Sequence, residues 1–529
     1  MSGRAHESED LPLPRAGRPR GDIGGFEGES RTTARYVPPR RRGGPRTADR
    51  SFAPVSATTR LAKESSVKDT TAAPPFRPGE ITGAPGLARH RWCVLLKHGE
   101  VFLKGRNKAA FQDRLHDNLR LALRGVGGST WIKYEPNVTV LGGQGVPVEE
   151  LVERARRVVG FSLVQPALRV PSTVDDIGAA AVDALGALRE TRPGLSFAVH
   201  ARRRDKTFPL TSSRLSAAVG SHVQRELGLP VDLSTPDVDL TVEVARKDSY
   251  LSWLRLPGQG GLPVGSSGRA LALLSGGYDS PVAAHRAIRR GLHCDFVHFT
   301  GAPYTDPSST YKAYALAREL NRYQPAGQLH VVALGTAQKQ LALAGAEKLQ
   351  VVAQRRLMVR TACALAGRLG AEALVSGDNL GQVASQTLTN LGTVDEAAEL
   401  PVLRPLLGWE KQEIIDEARS VGTAEISVLP DEDCCTLLAP RRVTTGARPA
   451  ELARVERRIG MDDLIDELLD GAQCLTPGRV DGTSETDDTD GTAGVSGTAA
   501  GASDSAPSAG SSRQRTIPPA ATGATAAAR

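Results

Sequence analysis

The pattern most able to do chemistry is Ser275, Gly276, Gly277, Tyr278, Asp279, Ser280, directly after an apolar run ending at Leu273 and Leu274. Glycine permits a tight turn and close approach of main chain to a ligand, and N–H groups at a helix start attract an anion. Ser275 and Ser280 add hydroxyls that can help hold it. Neither GxxxxGK[ST] nor GxGxxG is present, so a Walker loop and a dinucleotide fingerprint are both unsupported. A second centre is the adjacent pair Cys434 and Cys435, preceded by Asp431, Glu432 and Asp433. Adjacent cysteines cannot hold tetrahedral zinc without outside ligands, and no other pair is spaced to supply them. A disulfide between them would be strained. The acids predict an exposed loop, where thiols are reactive. A third cluster is basic: Arg202, Arg203, Arg204 and Lys206 at a strand end, with Lys97, Lys104, Arg106 and Lys108 upstream. Such clusters neutralise phosphates without reading sequence.

The elements that must position these residues can be read from hydrophobic periodicity. A strand over 91–96, a helix over 109–124, strand character over 131–142 and a helix over 148–160 give a βαββα order, expected of a small ferredoxin-like α+β unit. Next come a strand, a helix over 175–188, the strand 196–203, a helix over 212–227 and two further strands. A Gly-rich linker over 258–268 is followed by apolar runs at 269–274, 295–300, 329–334 and 373–377 with helices between them. That alternation predicts a parallel sheet covered on both faces. The expected division is an extension over 1–88, domains over 89–150, 151–257 and 269–474, and a tail over 475–529.

The 529 residues allow about three domains at ~150 residues each. Only 4% are aromatic, while Gly (55) and Pro (34) are abundant, which points to disordered ends on a globular middle. The net charge of +7 is mostly in residues 1–90, with 16 Lys+Arg against 10 Asp+Glu, so it argues little about the folded part. Six cysteines without a CxxC exclude a disulfide scaffold. No run approaches the ~18 apolar residues that span a bilayer, and the start lacks a secretory h-region. A cytoplasmic protein with no membrane partner is expected.

SGGYDS at a strand–helix junction resembles the loop of the pyrophosphate-loop ATPases, which cleave ATP between the α- and β-phosphates. GDNLGQVASQTLTNL (377–391) and LRPLLGWEKQEIIDEARSVGT (403–423) resemble the tRNA 4-thiouridine synthetases, the ThiI-type tRNA sulfurtransferases. KHGEVFLKGRNKAAF (97–111) resembles that family's ferredoxin-like segment, and HARRRDKTFPLTSSRLSAAVG (200–220) its RNA-binding THUMP domain. The resemblance covers about 90–440, in order. It implies a ferredoxin-like domain, a THUMP α/β domain and a parallel-sheet domain of the adenine nucleotide α-hydrolase type.

The resemblance also implies ATP and Mg²⁺ as cofactors, with Asp279 steering the metal or the phosphate end; no residue is singled out as a dedicated metal ligand. It places Leu273, Leu274, Ser275, Gly276, Gly277, Ser280, His298, Phe299, Arg355, Gly377 and Gln386 around the nucleotide. Persulfide sulfur falls to Cys434 by gap-free register, with Cys435 as the alternative. Implied partners are tRNA, a cysteine desulfurase or other persulfide donor, and a thiocarboxylate sulfur-carrier protein for thiamine thiazole synthesis. No rhodanese segment is seen, and Cys474 reads as incidental at the edge of the tail. Phe208 and Pro209 beside the basic patch, with the THUMP resemblance, favour RNA over a solvated loop. Arg202, Arg203, Arg204, Lys206, Lys104 and Arg106 are the expected RNA contacts. The rival readings are another pyrophosphate-loop ATPase, either a different tRNA thiolase or an adenylating ligase, and a non-catalytic RNA-binding module.

Overall fold

The computed structural model describes residues 87–135, 137–432, 434 and 438–478. The expected disordered ends therefore lie almost wholly outside the described residues. The chain forms β1 (Arg91–His98), α1 (Lys108–Ala122), β2 (Ser129–Glu135), β3 (Val138–Gln144), α2 (Val148–Arg157) and β4 (Phe161–Pro171). It continues with α3 (Val174–Thr191), β5 (Phe197–Arg203), α4 (Ser212–Leu227), β6 (Val238–Val244), β7 (Asp248–Ser252) and β8 (Leu256–Pro257). All eight strands join one sheet, ordered β2-β3-β1-β4-β7-β6-β5, with β8 on β4. In β1 the two-residue period divides the core: Val94 and Leu96 enter one apolar cluster, Cys93 and Leu95 another. Thr173 and Thr211 cap α3 and α4 by accepting from the N–H of Asp176 and Arg214.

Three expected boundaries differ from the structure, two of them in this half. The cut at 150/151 runs through α2, whose Leu151, Val152 and Ala155 pack with Leu115 and Leu119 of the first unit. The long strand β4 then pairs with β1 on one edge and β7 on the other, so the two α/β units share a sheet. Leu87, placed by the sequence in the N-terminal extension, is fully buried against the core beneath α3 and α4.

The second sheet follows from β9 (Arg269–Leu273), α5 (Asp279–Arg289), β10 (His293–Thr300), α6 (Ser308–Leu320), β11 (Leu329–Ala333) and α7 (Gly335–Leu343). After these come α8 (Gln350–Leu369), β12 (Ala373–Val375), α9 (Leu388–Asp395), β13 (Val402–Leu403), α10 (Lys411–Val421), α11 (Ala424–Ser427), α12 (Pro449–Arg458), α13 (Met461–Asp470) and β14 (Gln473–Leu475). The order is β13-β12-β9-β10-β11-β14, parallel except for β14. One apolar cluster gathers α7, α8, α12 and α13 on one face, and another gathers α5, α6 and α10 on the other. The sheet extends past the expected end at 474. Leu475 pairs with Leu329, and Asn321 donates to the Pro477 carbonyl at 3.0 Å. Cys474 is therefore an exposed edge-strand residue opposite His330, not the start of a tail.

The Gly-rich 258–268 stretch is a packed seam and not a loose linker. Gly260 N–H donates to Phe161 O (2.8 Å) in the first sheet, and Leu262 N–H to Arg289 O (3.0 Å) at the end of α5. Gly261 has φ +72°, and a Cβ there would stand 2.0 Å from Arg289 O. Glycine is required at this position by closeness as well as by φ. Gly261→Ala is expected to cost about 3 kcal/mol, since strain and overlap add. Gly194→Ala, at φ +77° in open space, is expected to cost about 1 kcal/mol. Urea unfolding midpoints of the two variants check this, and equal costs would show that the seam can yield.

Candidate active site

The phosphate loop leaves β9 beside two neighbours, β10 and β12, whose C-terminal ends point the same way. Leu274 N–H still pairs with Val297 O (2.8 Å) before the chain turns. Ser275 N–H then donates to Ser280 Oγ (2.8 Å), and the two hydroxyls lie 3.0 Å apart. Both serines expected to hold an anion are thus engaged in closing the loop. The first turn of α5 has no side-chain cap, so its N–H groups are offered to a ligand. Gly377, after β12, abuts this turn: a Cβ there would lie 2.6 Å from Ser280 N.

Asp279 opens α5. Lys411 Nζ lies 2.7 Å from its Oδ1, and Gln382 Nε2 donates to Oδ2 at 3.1 Å. Lys411 also stands over the Tyr278 ring, 5.7 Å from its centroid. Neither Lys411 nor Gln382 was singled out from sequence, although both lie inside the two quoted family segments.

The expected nucleotide residues divide into groups. His298 is buried, and its Nδ1–H donates to Leu274 O at 2.8 Å, fixing the ring against the loop. Phe299 faces the other way. Its ring lies in the core cluster with Val332, Leu334 and Leu357, which leaves its main chain to face a nucleotide. The reason is strand alternation: if His298 faces the loop, Phe299 cannot. Arg355 and Gln386 meet on Asp378, a residue sequence reading passed over. Arg355 forms an ion pair with its Oδ1, and Gln386 Nε2 donates to the same oxygen at 3.3 Å. Arg404 Nε (3.0 Å) and Ser376 Oγ (2.9 Å) take Oδ2. Burial raises the Asp378 carboxyl, but Arg355, Ser376 and Arg404 outweigh it and hold it below the usual carboxylate range. The neighbouring Arg356 turns into the core to Glu456 and Glu396, which leaves Arg355 as the site-facing arginine.

Cys434 is buried at 5% exposure, within the core cluster that includes Leu334 and Leu452. Its carbonyl accepts from Gln338 Nε2 at 2.8 Å. The expected exposed loop is therefore corrected at Cys434 itself, while of the acids before it Asp431 is half-buried and Glu432 is exposed. Lys312 Nζ holds Asp431 Oδ1 (3.0 Å) and the Leu429 carbonyl (2.5 Å). Glu432 accepts from Asp306 N–H at 2.9 Å. The segment also touches the phosphate loop, where Ser427 Oγ donates to Gly277 O at 3.3 Å. Cys435, the alternative sulfur carrier, and Asp433 lie outside the described residues.

On the first sheet the basic cluster divides. Arg204 Nε donates to Glu243 Oε2 at 2.8 Å, and Lys97 pairs with the same buried carboxylate. Burial raises Glu243, but Lys97 and Arg204 hold it below its ordinary value. Arg203 Nη1 donates to the Phe208 carbonyl (3.2 Å), and the Phe208 ring is buried in the core beneath α4. Arg204 and Phe208 are thus structural elements, against expectation. Arg202, Lys206 and Arg106 are exposed, and Lys104 stands 5.2 Å from the Phe111 ring centroid.

Comparison with known families gives three matches: the ThiI ferredoxin-like domain over 93–164, the THUMP domain over 171–254, and the thiamine biosynthesis protein ThiI over 265–461. A probable tRNA sulfurtransferase of Nocardia farcinica is 58% identical over 74% of this chain and 95% of its own length. One of Thermus thermophilus is 41% identical over 72% and 93%. Among solved structures, a 4-thiouridine synthetase–RNA complex with bound ATP is similar at TM-score 0.67 and 28% identity. That match covers 73% of this chain and 99% of that one. Three family matches in the order of the observed sheets, and relatives matched over nearly their whole length, agree: the chain belongs to the ThiI-type tRNA sulfurtransferase family.

Proposed function

We propose that the chain uses ATP to transfer persulfide sulfur to a uridine of tRNA, giving 4-thiouridine. The observation that carries this reading is the contact between the uncapped loop 275–280 and the chain leading to Cys434, through Ser427 Oγ to Gly277 O and through Asp431, which rests against Gly276. A polyphosphate fits the loop on the loop's own terms. A Cβ at Gly277 would meet only Ser275 Oγ, 3.8 Å away, so a phosphate can approach the main chain there. Asp279 would hold Mg²⁺, which supplies charge neutralisation at the phosphates. His298 and Gly377 bound the adenosine end, with Asp378 fixing Arg355 and Gln386 beside them. The 4-thiouridine synthetase with bound ATP and RNA supports both ligands.

The uracil C4 oxygen attacks the α-phosphate and pyrophosphate leaves. Sulfur of a persulfide on Cys434, or on Cys435, then attacks C4 and AMP departs. A second thiol, as thiolate, attacks the cysteine Sγ; the Sγ–S bond breaks, a disulfide closes between the two cysteines, and the base leaves with the outer sulfur on C4. The persulfide would come from a cysteine desulfurase in the cytoplasm, and could equally feed a thiocarboxylate carrier for thiazole synthesis. Residues 89–257 would grip the tRNA, with Arg202, Lys206 and Arg106 on phosphates.

Nucleoside mass spectrometry of tRNA incubated with Mg·ATP and a persulfide donor tests the reaction. Wild type should form 4-thiouridine, and Asp279→Asn should form at least about 100-fold less. Cys434→Ser should form none, while loss in Cys435→Ser alone would move the persulfide to that residue. Retained RNA binding with no ATP-dependent product in wild type would instead favour the binding-module reading.

Asp378→Asn should weaken ATP binding and cost about 3 kcal/mol by leaving two buried guanidinium groups underpaired. Because the Asp378 carboxyl is held low, its contribution is complete above about pH 4 and is lost as pH falls through the folded value. A chemical denaturation series against pH reads this, and the Asn variant should lose that acid dependence. Arg202→Ala with Lys206→Ala should lower the slope of log RNA affinity against log salt by about 2, with an unchanged melting temperature. Arg204→Ala should lower the melting temperature instead. Filter binding and calorimetry separate the two.

A further inference from the structure

Asp431 has a position that the phosphate-loop reading leaves unexplained. A Cβ built on Gly276 would lie 2.2 Å from Asp431 Oδ2 and 3.0 Å from Lys312 Cδ. A carboxylate thus rests on the glycine where a phosphate oxygen should meet main chain, with a lysine beside it. The Lys312 side chain is only 6% exposed, so its charge needs anionic company. Asp431 Oδ1 at 3.0 Å and the Leu429 carbonyl at 2.5 Å supply it. Asp431 and a phosphate cannot share this place. They would overlap, and two like charges about 4 Å apart repel by roughly 1–4 kcal/mol between bulk water and a protein surface.

We propose that Lys312 is a polyphosphate-binding residue of the site and that Asp431 is its resident counter-ion, displaced when nucleotide binds. The inference rests on the nucleotide reading above and adds to it an order of events, nucleotide first and thiol second. Displacing Asp431 loosens the chain from Leu429 to Glu432, which keeps the bonds of Leu429 N–H to Ile426 O and of Glu432 to Asp306 N–H and Ser308 Oγ. Cys434 follows two residues later and is buried in this state. Nucleotide binding therefore comes before thiol exposure, so the sulfur carrier opens only when a uracil can be activated.

Two measurements on the full chain test this: equilibrium binding of a non-hydrolysable Mg·ATP analogue, and the rate of iodoacetamide labelling at Cys434, read by peptide mass spectrometry. Asp431→Asn keeps the size of the side chain and removes the competing charge. It should tighten the analogue by about 3- to 10-fold and label faster than wild type without nucleotide. In wild type the analogue should accelerate labelling. Lys312→Gln should weaken the analogue about 10-fold while changing AMP affinity less, because AMP lacks the phosphates at issue. Should the analogue bind wild type with labelling unchanged or slowed, or Asp431→Asn bind no tighter, the displacement idea fails while the nucleotide site stands. No binding to wild type overturns both.

Discussion

Everything at the candidate site depends on where the strand order reverses. From β9 the chain crosses to β10 and β11 on one side, and later returns to β12 and β13 on the other. The connections leaving β9 and β12 therefore diverge and open a crevice at the strand ends, where open parallel sheets bind ligands. The loop 274–280 lies at that crevice because β9 is central. His298 is carried to it by β10, and Gly377 and Asp378 by β12. None of these contacts could form if β12 paired on the other edge.

The crevice is kept in shape by ions more than by apolar packing. Asp378 collects Arg355, Arg404, Gln386 and Ser376, and Arg404 reaches on to Asp395 at 2.6 Å. One carboxylate thus ties α8, the loop after β12, α9 and the turn after β13. Buried pairs of this kind add little net stability against an apolar alternative, but removing one member is costly. Their use here is positional.

The sequence made the α/β alternation legible because strands buried on both faces are apolar throughout, and the glycines of 275–280 mark the turn directly. It was less informative wherever a residue's role depends on which way it faces. Phe299 and His298 are neighbours with opposite fates, and periodicity alone does not say which face holds the ligand. Arg204 looks like its neighbours Arg202 and Arg203, yet Glu243, 39 residues away, turns it inward. The acids before Cys434 read as solvent-seeking until Lys312 is seen to meet Asp431. The misses at Arg204 and Asp431 each involve a charge whose partner is distant in sequence. A paired acid or base looks like a surface residue until that partner is known.

The seam at 258–268 carries the last step. Its main chain bonds to Phe161 O on the first sheet and to Arg289 O and Gly291 O at the end of α5. Side chains reinforce it: Asn118 Nδ2 donates to Val264 O at 3.2 Å, and Arg290 pairs with Glu100 at 2.8 Å. Helix α5 starts at the phosphate loop and ends at this seam. The loop 274–280 is therefore tied to the first sheet by one helix and a main-chain junction, without a hinge of free glycines. The close approach is what demands glycine at 261: a Cβ there would stand 2.0 Å from Arg289 O and would widen the seam.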